Sequence, residues 1–258
     1  MPVQLQRALF SLSFGLILAC YLAVCTASAQ DQFETDNGKL LIHPVHHASF
    51  VMEWNNQSIY VDPVGGAKIF ASFPKPDVIL ITHNHSDHLD SKTLEDLVKP
   101  GTRIVAPVAT AQLLPRALRK QTATLENGFT NTAGQFPIEA IAAYNTTANR
   151  LKFHAKGRGN GYVLTLGNKR VYISGDTEET PEMRALKDID IAFVCMNLPY
   201  TMDVDQAAKA VRAFHPKVVY PYHYRGSDLE HFKQLLKTDA ATEVRIRDWY
   251  ASDTSASR

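Results

Sequence analysis

The chain has 258 residues, 45% hydrophobic and 21% charged, an ordinary globular composition with enough length for one domain with a large core. Its formal net charge of +1 offers no bulk basic surface and so argues against a nucleic-acid partner. Of three cysteines only Cys195 lies beyond residue 29, which excludes an intrachain disulfide framework there; within Ile191–Met196 it reads as a small buried hydrophobe.

Arg7 precedes an uncharged run from Ala8 to Cys25, and Ala27-Ser28-Ala29 supplies a small-residue cleavage pattern. Residues 1–29 therefore read as an export signal, with one domain over 30–258 and a secreted or periplasmic destination. The same run is long enough for an uncleaved membrane anchor, and membrane association is expected only through it. Ile17-Leu18-Ala19-Cys20 loosely fits a bacterial lipoprotein site, a minor option given the bulky Leu18.

A polar lead, 30–38, precedes an opening meander over Lys39–His43, Ala48–Trp54 and Gln57–Val61, the last two joined by the turn pair Asn55-Asn56. Asp77–Thr82 is an apolar run of strand length after Pro74 and Pro76, so a strand buried on both faces is predicted. Asp90 or Ser91 then caps a helix with Leu94, Leu97 and Val98 at helical spacing, stopped by Pro100-Gly101. Arg103–Ala106 is the next strand, followed by a helical stretch over Ala109–Lys120 interrupted by Pro115, and strands at Ala123–Leu125 and Ile138–Tyr144. A basic loop runs from Asn145 to Gly161 with Arg150, Lys152, His154, Lys156 and Arg158. Beyond it lie a hairpin (Tyr162–Leu166 and Lys169–Ser174), a short helix (Pro181–Leu186), a buried strand (Ile189–Met196) and a helix (Val204–Phe214). A strand (Lys217–Tyr220), a helix (Asp228–Leu236), a strand (Glu243–Trp249) and a fraying Ser/Ala tail close the chain. Strands alternating with helices make an α/β layered domain, and no internal repeat is visible.

Chemistry concentrates in His83-Asn84-His85-Ser86-Asp87-His88, directly after the buried strand. Imidazole nitrogen and carboxylate oxygen are ligands for zinc, manganese or iron, and packing does not explain crowding them on one short loop. Asp176 and His223 fall likewise at the ends of predicted strands, where open α/β folds place their chemistry. In an oxidising compartment, a ligand set without thiolates is chemically sensible.

The motif His-x-His-x-Asp-His resembles the hallmark of the metallo-β-lactamase superfamily. More narrowly, His47-Ala48-Ser49-Phe50, Val61-Asp62-Pro63, Ile173–Thr177, Thr201-Met202-Asp203 and Pro216–Tyr224 resemble the branch with ascorbate-phosphate lactonase and N-acyl-phosphatidylethanolamine phospholipase D. The resemblance spans about Leu40 to Tyr224 and implies an αββα four-layer sandwich with a dinuclear site at one edge. By it, His83 and His85 hold a first metal, Asp87, His88 and His223 a second, and Asp176 bridges them. It implies two zinc ions, with manganese or iron as alternatives, and a metal-bound hydroxide that attacks an ester, lactone, amide or phosphodiester of a small molecule. Asp87 would also orient that hydroxide or manage its proton, and His47 and Asp62 would support the ligands or merely close the meander.

One departure stands out. Where many members carry the third ligand of the first metal, this chain has Asn145, a neutral amide. His154, nine residues on, either folds back to substitute or faces solvent or substrate. A weakened first site is compatible with a non-catalytic ligand-binding protein of the same fold. The basic residues near His154 are either a solvated loop or, through Lys152, Lys156 or Arg158, contacts for an anionic substrate. His43 and His46 lie near enough in sequence to approach the site, whereas His215 and His231 have no expected chemical role.

Overall fold

A computed structural model describes residues 31–238 and 241–251. The export signal, its anchor and lipoprotein alternatives, and the tail beyond 251 lie outside the described residues. No helix among the described residues is long and apolar enough to cross a membrane.

Two seven-stranded sheets face each other. The first contains β1 (Asp31–Thr35), β2 (Gly38–His46), β3 (Ser49–Trp54), β4 (Gln57–Val61), β5 (Val78–Leu80), β6 (Arg103–Ala106) and β7 (Thr122–Thr124) in sequence order. The second contains β8 (Thr130–Ala133), β9 (Phe136–Ala143), β10 (Gly159–Leu166), β11 (Lys169–Ile173), β12 (Ile191–Cys195), β13 (Val218–Tyr222) and β14 (Glu243–Val244), again in order. Each sheet is an antiparallel meander of four strands continued by three parallel ones. The two halves thus share a topology that their sequences do not display as a repeat.

Period-two alternation explains the layers. Phe50, Met52, Ile59, Val61, Val78 and Leu80 point between the sheets, while Val51, Tyr60, Ile79 and Ile81 face outward. The outward set is covered by α1 (Ser91–Leu97), α2 (Val108–Ala111) and α3 (Arg116–Arg119) through Leu94, Leu97, Ala111 and Leu118. On the second sheet α4 (Pro181–Arg184), α5 (Val204–Phe214) and α6 (Leu229–Leu236) do the same, with Phe214 edge-on to Tyr172 at 5.7 Å. The αββα expectation holds. Beneath the site, Phe50 stacks on Phe193 at 4.3 Å and Trp249 meets both rings edge-on, which stiffens the ground on which the functional loops stand.

Several boundaries differ from the sequence reading, each for a local reason. The polar lead contributes β1, paired to β2 along its full length although its side chains are mixed. The stretch Ala109–Lys120 breaks at Pro115 into two one-turn helices, because proline cannot donate the helical hydrogen bond. β8 has no apolar period in its sequence and was not anticipated. The strand expected over Glu243–Trp249 stops at Val244, beyond which Arg247 turns aside to grip Asp31 at 2.6 Å.

Candidate metal centre

The C-terminal ends of β2, β4 and β5 in one sheet, and of β9, β11 and β13 in the other, open on the same edge. β5 is buried completely, so the chain can become polar only where it leaves the sheet, at Thr82. There the fully buried Asp62 organises the turn. Its carboxylate accepts hydrogen bonds from the Thr82 amide and the Thr82 hydroxyl, both at 2.7 Å, and lies 2.7 Å from His88 Nδ1. His83 Nδ1 meets the Thr82 hydroxyl at 3.0 Å. With Nδ1 as the donor on both rings, Nε2 of His83 and of His88 is the nitrogen left to face the site. Asp62→Asn is expected to weaken cation binding about 10- to 100-fold, since it removes the carboxylate that fixes the His88 tautomer. Competition against a chromophoric chelator measures this, and unchanged affinity would reduce Asp62 to a turn former.

Asp176 enters from the other sheet. Gly175 precedes it at φ +61, where a Cβ would meet Asn160 O at 2.8 Å and Thr82 Cβ at 3.1 Å, so the close seating of this loop on Thr82 requires glycine. Asp176 Oδ2 lies 3.3 Å from His154 Nε2, 3.4 Å from His223 Nε2 and 4.0 Å from His83 Nε2. Its Oδ1 lies 3.4 Å from His88 Nε2. His83 Nε2 and His85 Nδ1 are 3.0 Å apart. Three sets of side chains bring ligand atoms within 4.8 Å of one another: His83, His85 and His154; His83, His88 and Asp176; and His47, Asp87 and His223.

Nε2 of His88, His154 and His223, and Oδ1 of Asp176, are buried without a hydrogen-bond partner. Orphaned polar atoms at this density are costly in a folded interior. The three nitrogens lie 3.3 to 3.4 Å from the Asp176 carboxylate, and divalent cations would satisfy all four atoms together. The residues present therefore fit a metal centre.

Charge around the ligands agrees. Burial, reinforced by neighbouring His88, pushes the His83 imidazole well below its ordinary pKa, and burial does the same more mildly to His85. Both rings stay neutral and free to coordinate. Burial works against the ionised form of Asp176, yet the imidazoles of His223 and His88 outweigh it and hold the carboxyl well below the usual range. Asp87 is likewise held low against burial, by the imidazoles of His223 and His47 beside its carboxylate at 3.4 and 3.2 Å. For His88 burial is overcome by the carboxylates of Asp176 and Asp62, which raise it to about 9.

The structure brings His154 beside His83 and His85, with ligand atoms within 4.8 Å of one another. The Asn145 side-chain amide donates to Tyr200 O at 2.7 Å and Arg150 O at 3.0 Å, and its backbone amide donates to His154 O at 2.8 Å. Asn145 thus clamps the loop that returns His154 to the site. His154 Nδ1 donates to Tyr200 O at 3.1 Å, so Nε2 is the free nitrogen, facing Asp176. Asn145, in sequence where many members carry the third ligand, braces this loop through its amide nitrogen.

A profile described as "Beta-lactamase superfamily domain" matches residues 41–223, which carry all of these side chains. The chain belongs to the metallo-β-lactamase superfamily. It is 34% identical over 219 residues to a UPF0173 metal-dependent hydrolase of Thermoplasma acidophilum, covering 79% of this chain and 92% of that protein. The crystal structure of a candidate metal-dependent hydrolase from Parabacteroides distasonis superposes with a TM-score of 0.78 at 45% identity, covering 86% of this chain and 99% of that one. Igni18, a metallo hydrolase of Ignicoccus hospitalis, shares the fold at TM-score 0.68 and 23% identity, over 81% of this chain and 95% of that one.

The superfamily motif does not reveal the whole site. His47 joins it from the β2–β3 turn, with Nε2 3.2 Å from Asp87 Oδ2 and its ring 3.8 Å from that of His223. Tyr250, from the last described turn and outside the matched span, holds His47 Nδ1 at 2.7 Å. His47, Asp62 and His223 all have positive φ, an unusual concentration for residues other than glycine, and each sits where a strand ends on the site. Glu178, fully buried, accepts from the amides of Thr146 and Thr147 at 2.6 Å and pairs with Arg150 at 2.6 Å. Only its spacing from Asp176 could have pointed to it. His43 turns to Glu53 at 3.0 Å, and His46 packs against Tyr250, so neither contributes a ligand atom to these sets. His215 caps α5, and the His231 amide joins the α6 cap. Lys156 is withdrawn from the anion-contact expectation, because it pairs with Glu182 at 3.1 Å and the Tyr144 hydroxyl at 3.2 Å.

Proposed function

We propose that this metal-dependent hydrolase is exported, holds two zinc ions, and cleaves an ester, lactone or phosphodiester-type bond in a small molecule. One observation carries the reading: Asp176 faces His83, His154 and His223 through Oδ2 and His88 through Oδ1, so a single carboxylate lies beside imidazoles assigned to both ions. His83, His85 and His154 would hold the first ion, and Asp87, His88 and His223 the second. Such a pair supplies water activated near neutral pH and charge stabilisation for the attacking and leaving oxygens. The nitrogen- and oxygen-only ligand set supports zinc, with manganese and iron as the other fits. Arg7, the uncharged run Ala8–Cys25 and Ala27-Ser28-Ala29 support export.

The chain's own contribution is orientation and exclusion. Asp87 is held ionised by His47 and His223, and its partly exposed carboxylate is placed to accept a hydrogen bond from the attacking water. His154 and Asp176, both buried, close the floor of the cleft and keep bulk water from the ligands. The pieces shared with the lactonase and phospholipase D branch, including His47–Phe50 and Val61-Asp62-Pro63, support an ester or lactone over a β-lactam ring. The position of His154 beside His83 and His85 supports this reading over a non-catalytic binder of the same fold, the alternative that Asn145 favours.

Metal analysis of the purified protein, joined to a panel of esters, lactones and phosphodiesters, tests the reading. About two equivalents of metal and hydrolysis lost in His85→Ala are expected; metal-free protein that cannot be reconstituted would overturn it. A proton should also leave on loading. Below about 9 the cation-free His88 is protonated, and a cation must displace that proton, whereas Asp87 and Asp176 are already ionised. Loading near neutral pH should therefore release about one proton from His88, and affinity should fall about tenfold per unit of acidification. Calorimetry in buffers of different ionisation enthalpy reads this directly, and buffer-independent heats would contradict it.

A further inference from the structure

We propose that the substrate carries, besides its scissile bond, an oxyanion of the carboxylate or phosphate class, gripped by Lys152 and Arg158. This rests on the hydrolase reading above and narrows it. The cleft that opens on His83, His85, His154 and Asp176 encloses about 230 Å³, and Lys152 and Arg158 stand on its wall.

The loop from Asn145 to Gly161 carries four lysine and arginine side chains, and they divide sharply. Arg150 is consumed by Glu178 at 2.6 Å and Lys156 by Glu182 at 3.1 Å. Lys152 and Arg158 have no carboxylate within ion-pair distance among the described residues; Lys152 rests over the Phe153 ring at 5.0 Å. The paired cations build the loop, and the unpaired ones face the cleft. Asp176 is the one carboxylate on the cleft wall, and it is turned toward the imidazoles. The wall is therefore cationic before any metal enters, and bound metal adds to that field.

The frame that presents these two side chains is stiff. Glu178 fixes the start of the loop through the Thr146 and Thr147 amides, and His154 Nδ1 ties its middle to Tyr200 O. Binding an oxyanion there orders two side-chain tips and little backbone, which favours affinity. Arginine offers a planar fork for two oxygens of a carboxylate or phosphate, and lysine a compact charge beside it. Phe153, its ring 5.0 Å from that of Tyr200, adds an apolar side chain to the cleft wall.

The test compares kcat/KM of the zinc-loaded full chain on p-nitrophenyl acetate, on the p-nitrophenyl monoester of succinate, and on p-nitrophenyl phosphonoacetate. An anion preference of about 10- to 100-fold, expressed mainly in KM, is expected, and the two anionic esters show whether carboxylate or phosphorus oxyanion is preferred. In Lys152→Met/Arg158→Met the preference should collapse toward parity, and Arg158→Glu should drive it further toward the neutral ester. Lys156→Met, outside the cleft, should keep it. Equal turnover of the three esters by the unaltered chain, or a preference untouched in the double variant with its zinc retained, overturns the proposal. If no ester is turned over, the ester form of the hydrolase reading fails on its own, and calorimetry with succinate and inorganic phosphate decides the inference: binding lost in the double variant supports it, and absence of binding to the unaltered chain overturns it.

Discussion

Asp176→Asn should cost more than any other single change in the site. It keeps the side-chain volume but removes a charge that faces His83, His88, His154 and His223 at 3.3 to 4.0 Å. Metal content should fall from about two equivalents to less than one. Hydrolysis should drop by at least about 10³-fold, beyond the 10- to 100-fold typical of a residue that only supports a ligand. Elemental analysis and steady-state kinetics on the same preparation read both. Retention of two metals would mean that Asp176 is not shared between them.

The second large effect separates His154 from Asn145. His154→Ala should remove one cation and leave the other, since His83 and His85 lose their third partner while Asp87, His88 and His223 are untouched. Asn145→Ala should instead destabilise the protein by about 1 to 3 kcal/mol, because it deletes two buried hydrogen bonds to Tyr200 O and Arg150 O. Its metal stoichiometry should survive when saturating metal is supplied. Metal titration and urea unfolding of the two variants check the split, and a cation lost in Asn145→Ala but kept in His154→Ala would reverse the assignment.

These two residues also show where the sequence stops being readable. His83 to His88 is legible because its ligands are consecutive, so spacing alone brings them together. Asp176 and His223 are legible because an apolar run that ends abruptly in an acid or imidazole marks the rim of a sheet, and the family motif ties them to the loop. His154 is undecidable from spacing. Its place depends on Asn145, Tyr200 and Glu178, which lie 9, 46 and 24 residues away in the chain and act through hydrogen bonds to backbone. Tyr250 is farther still, 203 residues from the His47 it holds, and no local pattern announces that contact. Among the strands, β5 and β12 are plain because both faces are buried, whereas β1 and β8 are polar and owe their form to the neighbours they pair with.

The matched topology of the two halves bears on why the site lies where it does. In each sheet the strand that ends the meander is followed by an acid, Asp62 after β4 and Asp176 after β11. Asp62 holds His88 Nδ1 and Asp176 faces His88 Nε2, so acids from the two halves meet the same ring at the shared edge.

Anomalous diffraction at the zinc edge from crystals of the zinc-loaded protein would show whether two cations share Asp176. Two peaks are expected, roughly 3.5 to 4 Å apart, one with His154 Nε2 at about 2.0 to 2.1 Å and the other beside His88 and His223. A single peak, or two peaks with His154 outside the coordination sphere of both, would contradict that sharing.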